Sequence, residues 1–346
     1  MLKKALQFIF FLGLGVTILS LVFRSQDAAF REDCRLKGIP DADCSLTDKL
    51  WHDFSTVHLG WIAAVMAAFT LSNLFRALRW QMLIEPLGHR AGLGNSFWSI
   101  LLGYFANLGL PRMGEVVRAG ALARNERIPM EKVMGTMVVD RLMDVLCLGL
   151  VVGLAFLFEG ETLWRFITQN RSGQSGGGLL QNPWVLAFLA LALAGGALAY
   201  FFREKLWQLP IAQKILGILN GFWEGLRSVL RLRQPFLFIV YSMGIWLMFY
   251  LQCYFNLKAF APTAQLSLGA ALMVFVFGTL GFVIPSPGGM GTFHALCMAG
   301  LALYGISGSD AFSYANIAFF SIQIFYNIVA GVLALIVLPM LRRREF

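Results

Sequence analysis

The chain of 346 residues is 58% hydrophobic, only 14% of its residues are charged, and its formal net charge is +9. A soluble domain carries roughly 25% charged residues, so this composition excludes an ordinary soluble protein. It favours helices in a bilayer, because apolar stretches near twenty residues recur while the alternating strands of an outer-membrane barrel do not. Lysines and arginines cluster at the ends of these stretches, as membrane topology requires, so the positive charge does not indicate a nucleic-acid partner.

The first predicted membrane span covers 5–23 and follows the basic start MLKK, which places the N-terminus in the cytoplasm. The next segment, 24–56, is predicted to be an external loop, because it holds more acidic than basic side chains. It also holds Cys34 and Cys44, which can form a disulfide if this loop faces an oxidising compartment. A second span, at about 57–78, returns to the cytoplasm.

An apolar segment of fourteen residues, 97–110, is too short to cross a bilayer. As a helix it would rise roughly 21 Å, whereas the hydrocarbon core is about 30 Å thick. Arginines flank it on both sides, so both flanks are expected in the cytoplasm. The sequence therefore predicts a cytoplasmic-side re-entrant hairpin over 97–130, which is tolerated at membrane depth only where protein or a wet cavity surrounds it.

Further spans alternate between the two sides of the membrane. They are predicted at 133–158, 183–202, 235–257 and 312–338. The segment 159–182 is predicted to be a flexible external linker because of its RSGQSGGG stretch. The basic segment 203–234 is predicted to be an amphipathic element on the cytoplasmic surface. The basic tail LRRREF places the C-terminus in the cytoplasm as well.

The stretch IPSPGGMGTFH at 284–294 separates two apolar segments that are each shorter than a full span. Because the neighbouring spans leave both ends of this region outside, 266–305 is predicted to be an external-side re-entrant hairpin. The fold class is therefore all-α and polytopic, with about six full spans and two oppositely oriented re-entrant hairpins in one domain over 1–346. Opposed interrupted helices suggest an inverted repeat, which here rests on hydropathy, because the two halves show no residue-level identity.

Three ionisable residues lie inside the predicted span 133–158: Asp140, Arg141 and Asp144. The two aspartates are four residues apart and share one helix face, and Arg141 is three residues from Asp144. Ionisable groups at this depth are costly and indicate a function. Two interpretations stay open: an internal ion pair that joins this helix to a neighbour, or a direct role in handling a ligand or a proton.

The motif PRMGEVVR at 111–118 directly follows the short apolar segment. Pro111 suits the first turn of a helix, and on that helix Glu115 and Arg118 would share a face. The free N–H groups at the helix start, together with Arg112, indicate an anion site, because an arginine fork matches phosphate bidentately. The alternative is that these arginines only mark the cytoplasmic side.

Two further positions carry candidate polar groups. In NLFRALRW at 73–80, Arg76 is a candidate binding residue because it lies deeper in its span, whereas Arg79 and Trp80 are predicted to be anchors at the membrane interface. His294, just after the glycine turn, can titrate near neutrality, although a lone histidine is more often a packed residue. The sequence shows no metal cluster, nucleophile triad or nucleotide-binding loop, so no cofactor is predicted.

Together these motifs resemble the membrane region of the lysylphosphatidylglycerol synthase/flippase family, whose members are described as flippase-like integral membrane proteins. Four motifs carry the resemblance, in order: Asn73–Trp80, Pro111–Arg118, DRLMD at 140–144 and PSPGGMG at 285–291. It extends over roughly residues 5–340. It implies a helical membrane domain with re-entrant segments and a role in lipid translocation.

The resemblance also implies which residues bind or gate a lipid headgroup. By motif position they are Arg112, Glu115, Arg118, Asp140, Arg141, Asp144, Pro287, Gly288, Gly289 and Gly291. The chain departs from the family in two respects. It stops at Phe346 without room for a soluble aminoacyl-transferase domain, so lipid aminoacylation is not expected, and it has His294 where the family's glycine-rich motif commonly continues to a glutamate.

The leading hypothesis is a non-enzymatic, flippase-like protein of the cytoplasmic (inner) membrane. It would bind and translocate an anionic phospholipid or a polyprenyl-linked lipid, by passive or ion-coupled transport. The alternative is a non-transporting accessory protein that presents lipids or lipid-linked glycans to a lipid-modifying partner enzyme. An intramembrane enzyme ranks last, because no nucleophile or metal is found. The lipid, the direction of transport and the formation of a homo-oligomer stay open.

Overall fold

The computed structural model describes residues 2–36, 40, 44–109, 113–169, 229, 232–284, 286–306 and 308–341. These residues are mostly helical and form no β-strand. The helices are α1 (Leu2–Leu36), α2 (Leu46–Ser55), α3 (Leu59–Ile84), α4 (Leu93–Gly109), α5 (Gly114–Glu126), α6 (Met130–Gln169), α7 (Pro235–Ala259), α8 (Leu268–Val283), α9 (Thr292–Ala302), α10 (Gly308–Phe319) and α11 (Asn327–Met340). A π-helical segment, Phe320–Tyr326, joins α10 to α11.

The chain divides into two compact units. The first comprises 1–159 and 232–346, and the second comprises 160–231. In the second unit, the described part is mainly the end of α6, where Arg165 pairs with Glu161 at 2.5 Å. The predicted span 183–202, the predicted amphipathic segment 203–234 except for Val229 and its last three residues, and the basic tail lie outside the described residues.

Four helical segments of the described chain are long and apolar enough to cross a membrane: Leu59–Leu87, Met130–Arg165, Pro235–Ala259 and Gly308–Met340. They coincide with four of the six predicted spans. Two shorter apolar helices, α8 and α9, coincide with the predicted external-side hairpin. The all-α, polytopic membrane fold is thereby confirmed, whereas the total number of spans and the side of each loop stay predictions.

The segment 24–56, predicted to be a loop, is largely helical. The helix that begins the chain continues to Leu36, because one-turn pairs such as Asp27–Arg31, at 2.9 Å, support the polar part of α1. After a short break, α2 begins behind Ser45, whose hydroxyl accepts a hydrogen bond from the Asp48 backbone at 3.2 Å. A disulfide joins Cys34 to Cys44 across this break, with their Cα atoms 6.3 Å apart.

An aromatic contact within the first unit joins α3, α4, α7 and the π-helical segment. The ring of Phe69 on α3 lies 5.5 Å from Tyr104, 6.3 Å from Phe249 and 5.0 Å from Tyr326. The Tyr326 hydroxyl also hydrogen-bonds Thr70 at 2.6 Å. Because α3 packs along α7 on one side and along α4 on the other, these rings fix the face of α3 that carries Arg76 and Arg79.

Helices α4 and α5 form a helical hairpin within 97–130 and cross at two glycines. A Cβ atom on Gly114 would lie 2.2 Å from the carbonyl oxygen of Gly103, which is closer than any side chain allows. The Gly114 backbone N–H donates to Asn107 at 2.8 Å and closes the hairpin. This close crossing sets the direction of α5 and therefore the position of Arg118, one turn further along.

Helices α8 and α9 form the second hairpin, and the glycines of the 284–294 stretch make its turn. Gly288, Gly289 and Gly291 have φ angles of 58°, 81° and 80°, a region that glycine adopts without steric cost. Thr292 stabilises the turn by donating to the Gly281 carbonyl at 2.8 Å. The turn packs against α4 and α1, so the two hairpins meet through α4.

A polar contact joins the start of α4, the end of α5 and the end of α11. Oε1 of Glu126 accepts hydrogen bonds from the Gly92 N–H at 2.6 Å and from Asn95 at 2.7 Å. Asn125 donates to the Leu338 carbonyl at 2.8 Å. No motif in the sequence indicated this contact, which anchors the far end of α5.

Candidate functional site

Five charged side chains are buried where α3, α5 and α6 meet. They are Arg76 and Arg79 of α3, Arg118 of α5, and Asp140 and Asp144 of α6, and we call them the arginine cluster. No side chain among them is more than 13% exposed. Helical spacing explains the grouping, because residues three or four apart lie on one helix face.

Asp140 is the centre of the cluster. Its Oδ2 accepts a hydrogen bond from Nη2 of Arg118 at 2.9 Å and lies 3.4 Å from Nη1 of Arg76. Its Oδ1 accepts from Nη2 of Arg79. One fully buried carboxylate therefore joins three arginines that come from two different helices.

Asp144 lies one turn further along α6 and pairs with the same arginines of α3. Its Oδ2 lies 2.9 Å from Nη1 of Arg76, and its Oδ1 lies 2.7 Å from Nη2 of Arg79. Arg79 is also bound by the Ser242 hydroxyl of α7, 3.3 Å from Nη1. Arg79 thus uses its guanidinium within the protein and links α3, α6 and α7.

Aromatic rings lie against each arginine. The guanidinium carbon of Arg118 is 5.0 Å from the ring centre of Trp80, and those of Arg76 and Arg79 are each 5.9 Å from a phenylalanine ring. The Trp80 indole N–H donates to Thr136 at 2.9 Å and so fixes its own ring. These contacts stabilise buried cations and hold the guanidinium planes in place.

An ion pair between α5 and α6 lies at the edge of the cluster. Nε of Arg141 is 2.5 Å from Oε1 of Glu115, and the two side chains are 49% and 38% exposed. Nη1 of Arg141 also reaches Oδ2 of Asp144 at 3.5 Å. We call this the rim pair, because it lies between the buried charges and the surface.

The cluster carries a surplus of positive charge. Three arginines against two aspartates leave 3 − 2 = +1, and the rim pair adds 1 − 1 = 0. In addition, Nε of Arg76, Arg79 and Arg118 is buried and has no hydrogen-bond partner within the described chain. An anion would balance the charge, and its oxygens are the acceptors that such N–H groups require.

The prediction that Arg79 and Trp80 are anchors at the membrane interface is wrong. Their exposed fractions are 0% and 1%, and the carboxylates of Asp140 and Asp144 compensate the charge of Arg79. The sequence held one usable signal: Arg79 is three residues from Arg76 and therefore shares its face. Because many arginines lie near span ends in this sequence, Arg79 was interpreted as one of them. No pattern in the sequence indicated that Thr136 would position Trp80 or that Ser242 would position Arg79.

The structure brings together Arg76, Glu115, Arg118, Asp140, Arg141 and Asp144 of the predicted site. Arg112 lies outside the described residues. The predicted turn residues Pro287, Gly288, Gly289 and Gly291 belong to the second hairpin. Because the two hairpins are predicted to enter the membrane from opposite sides, the sequence also predicts that Gly288–Gly291 and Arg112–Arg118 lie near one another. Helix α4 contacts the turn, and the proximity itself stays a prediction.

His294 lies apart from the arginine cluster, in an aromatic environment. Its ring centre is 4.9 Å from that of Phe319 and 6.4 Å from that of Phe312, and only 2% of the residue is exposed. A role in binding the same headgroup as Arg118 therefore has no direct contact to support it. Within the described chain, no group of three or more His, Cys, Asp or Glu side chains could hold a metal ion.

Comparison with known proteins gives a consistent result. A family model described as "Lysylphosphatidylglycerol synthase TM region" matches residues 45–344. A UPF0104 membrane protein of Methanocaldococcus jannaschii is 37% identical over 86 residues, which cover 23% of this chain and 26% of that protein. The match thus spans about a quarter of the relative's length. No solved structure matches the chain.

Proposed function

The chain belongs to the lysylphosphatidylglycerol synthase TM region family, and from this premise we propose that it binds the headgroup of an anionic membrane lipid at the arginine cluster and translocates it. The family places the chain among flippase-like membrane proteins. The observation that carries the proposal is the buried surplus charge of +1 among three arginines, each with an unused Nε–H. Charges at membrane depth are costly and are retained at functional sites.

A phosphate group fits this chemistry. Arginine presents a planar set of donors that matches phosphate oxygens, and the aromatic rings hold each guanidinium in a fixed plane. Both terminal nitrogens of Arg79 are already bound by Asp140, Asp144 and Ser242, so Arg76 and Arg118 are the residues that would contact the ligand. The carboxylate of Asp140 now occupies the position between them. A headgroup would therefore compete with Asp140 for the same arginines.

Helix α6 is suited to such an exchange. Of its apolar membrane-spanning stretch, 11% is buried, against 39% for the span that contains α3. The charged contacts of Asp140 and Asp144 attach it to α3 and α5, together with the apolar contacts of Val133 and Met137. A ligand that replaced Asp140 would weaken the attachment of α6 to α3 and α5. The rim pair between Glu115 and Arg141, which also joins α5 to α6, would then separate. The acyl chains would stay in the surrounding lipid.

The proposed membrane location of the protein and the proposed source of the headgroup rest on the sequence. The basic residues at span ends support the cytoplasmic membrane with both termini in the cytoplasm. The anionic headgroup can belong to a phospholipid or to a polyprenyl-linked lipid, since both carry phosphate. The polypeptide would act as a transporter without enzymatic activity, alone or as a homo-oligomer.

A second function is favoured by the pairing within the cluster. Because both carboxylates are already bound by arginines, the cluster could serve only to join α3, α5 and α6. The protein would then be an accessory component that presents lipids to a lipid-modifying enzyme and does not transport them.

Translocation in vesicles tests the proposal. The purified full chain is reconstituted in phosphatidylcholine vesicles that contain fluorescent phosphatidylglycerol, and an impermeant quencher reports how fast the labelled lipid moves between leaflets. We expect Arg118→Gln to reduce the rate at least tenfold and Arg118→Lys, which keeps the charge without the fork, to reduce it less. Arg31→Gln on the exposed part of α1 serves as the matched control and should leave the rate unchanged.

Two results would contradict the proposal. If the wild-type rate equals that of empty vesicles, phosphatidylglycerol is not transported. If Arg118→Gln matches wild type while melting at the same temperature, the arginine cluster is not the site. The accessory function would be supported by absent transport together with copurification of a lipid-modifying enzyme.

A further inference from the structure

A groove with polar groups at one side lies between α1, α2 and α10, all within the first unit. Its volume is about 330 Å³, near the lower end of the 300–1,000 Å³ typical of ligand pockets. Apolar side chains form most of its wall: Leu19, Phe23, Leu50 and Phe312. The rings of Phe23 and Phe312 lie 6.0 Å apart, edge to face, and hold α1 against α10.

Arg24 is the charged residue that lines this groove. It makes no ion pair or hydrogen bond within the part of the chain that the structure describes. The next two arginines of α1 differ, because Arg31 pairs with Asp27 at 2.9 Å and Arg35 pairs with Glu32 at 2.6 Å. Among the side chains that the structure describes, Arg24 thus has no charged partner and lies next to an apolar wall.

Two neutral polar groups accompany Arg24. Ser20 lies one turn earlier on α1 and also lines the groove. Asn316 lines it from α10 and donates to the Phe312 carbonyl at 2.8 Å. This hydrogen bond orients the Asn316 amide, so a ligand would meet an oriented amide group beside the cation.

The surrounding charges narrow the ligand class. Lys49 of α2, next to Leu50, binds both Asp53 at 2.7 Å and Asp310 at 2.8 Å, and Asp310 is 43% exposed. Lys49 is therefore already bound by two carboxylates, and Arg24 is the cation in the groove lining that is left to bind an anion. A soluble anion would gain nothing from the apolar wall. A phosphodiester that carries an acyl chain would contact both Arg24 and the apolar wall.

We propose that this groove binds one membrane phospholipid, with its phosphodiester at Arg24 and Ser20 and an acyl chain along Leu19, Phe23 and Phe312. The site is separate from the arginine cluster and does not depend on transport there. The phosphodiester chemistry is common to phosphatidylglycerol and phosphatidylethanolamine. Because Arg24 is a cation without a paired carboxylate in the groove lining, it favours the net anionic phosphatidylglycerol over the zwitterionic phosphatidylethanolamine.

Native mass spectrometry of the purified full chain tests the proposal. The protein is incubated in mild detergent with equal amounts of phosphatidylglycerol and phosphatidylethanolamine of different mass, and the retained phospholipids are counted. We expect Arg24→Gln to lower the fraction of protein with this retained lipid at least fivefold. Arg31→Gln removes the same charge from the same helix, but from a paired position, and should retain the lipid.

A second variant blocks the groove sterically. Ser20→Trp changes an exposed position and leaves the packed rings of Phe23 and Phe312 in place, so it should fold and should also lose the lipid. The proposal is overturned if both Arg24→Gln and Ser20→Trp retain phospholipid as wild type does. Arg118→Gln should keep the groove lipid whether or not it translocates phosphatidylglycerol, so the failure of one proposal is distinguishable from the failure of the other. Which phospholipid wild type retains identifies the headgroup.

Discussion

Nη2 of Arg118 lies 2.9 Å from Oδ2 of Asp140, and this contact joins the short hairpin helix α5 to the long helix α6. The side chains are 6% and 0% exposed. Removing either one leaves the other as a buried charge with fewer partners. The same carboxylate is shared with Arg76 and Arg79, so the pair is part of a network whose members cannot be changed independently.

The first prediction concerns that network. Asp140→Asn leaves three buried arginines with one aspartate, and breaking a buried ion pair in this way costs about 3–5 kcal/mol. We expect a clear fall in the melting temperature, measured by tryptophan fluorescence in detergent. Asp27→Asn breaks a more exposed pair on α1 and should change stability by less than about 1 kcal/mol.

A double variant tests the coupling directly. Asp140→Asn combined with Arg118→Gln removes one charge of each sign, so the double variant should be more stable than the sum of the single changes predicts. Strictly additive losses would show that the two side chains do not interact as the structure indicates.

The second prediction concerns the glycine crossing of α4 and α5. Gly114→Ala would place a Cβ atom 2.2 Å from the Gly103 carbonyl oxygen and 2.6 Å from the Asn107 side chain. The hairpin must therefore separate, which should lower the melting temperature and reduce any activity that depends on Arg118. Gly149→Ala on α6 is the matched control, because nothing lies within 4 Å of its Cβ position and alanine favours a helix by about 1 kcal/mol. Equal melting temperatures for the two variants would contradict the crossing.

The third prediction concerns the disulfide between Cys34 and Cys44, which closes a loop with a sequence separation of 10. A disulfide that closes a loop of this length is expected to stabilise the folded state by about 3 kcal/mol. Replacing both cysteines by serine should lower the melting temperature, and a reducing agent should then have no further effect. A non-reduced peptide map shows the linked peptides. If the reductant leaves the wild-type melting temperature unchanged, the bond does not contribute to stability.

Local sequence features predicted the parts of this fold that depend on apolar length. The spans beginning near Leu59, Met130, Pro235 and Gly308 follow from runs of apolar residues, which only a membrane or a core can accommodate. The shared faces of Asp140 with Asp144 and of Glu115 with Arg118 follow from helical spacing. Each of these inferences uses residues within about one turn of one another or within one run.

Features that depend on contacts between distant segments were not predictable. Arg79 is buried because carboxylates 61 and 65 residues later lie beside it, and no local pattern reports their approach. The crossing of Gly103 with Gly114 likewise depends on how two helices meet. The segment 24–56 was misjudged for a different reason: its charges suit a loop, but one-turn ion pairs also support a solvated helix.

The last prediction concerns the rim pair of Glu115 and Arg141. Glu115→Gln leaves the Arg141 guanidinium with its 3.5 Å contact to Asp144, and the charge of the cluster and its rim rises from +1 to +2. One more positive charge near the ligand is worth about 1 kcal/mol at an effective dielectric between those of protein and water, which corresponds to roughly fivefold tighter binding. We therefore expect translocation to reach half of its maximal rate at about one-fifth of the wild-type phosphatidylglycerol content, with less difference at high salt.

Stability separates this effect from a general disturbance of the fold. Both side chains of the rim pair are more than one-third exposed, so Glu115→Gln should melt within a few degrees of wild type. Glu161→Gln breaks a similar exposed pair with Arg165 on the same helix α6 and should not change the lipid dependence. Arg141→Gln should act in the opposite direction and require more phosphatidylglycerol. If Glu115→Gln and Arg141→Gln shift the lipid dependence in the same direction, the pair acts by holding α5 against α6 and not by its charge.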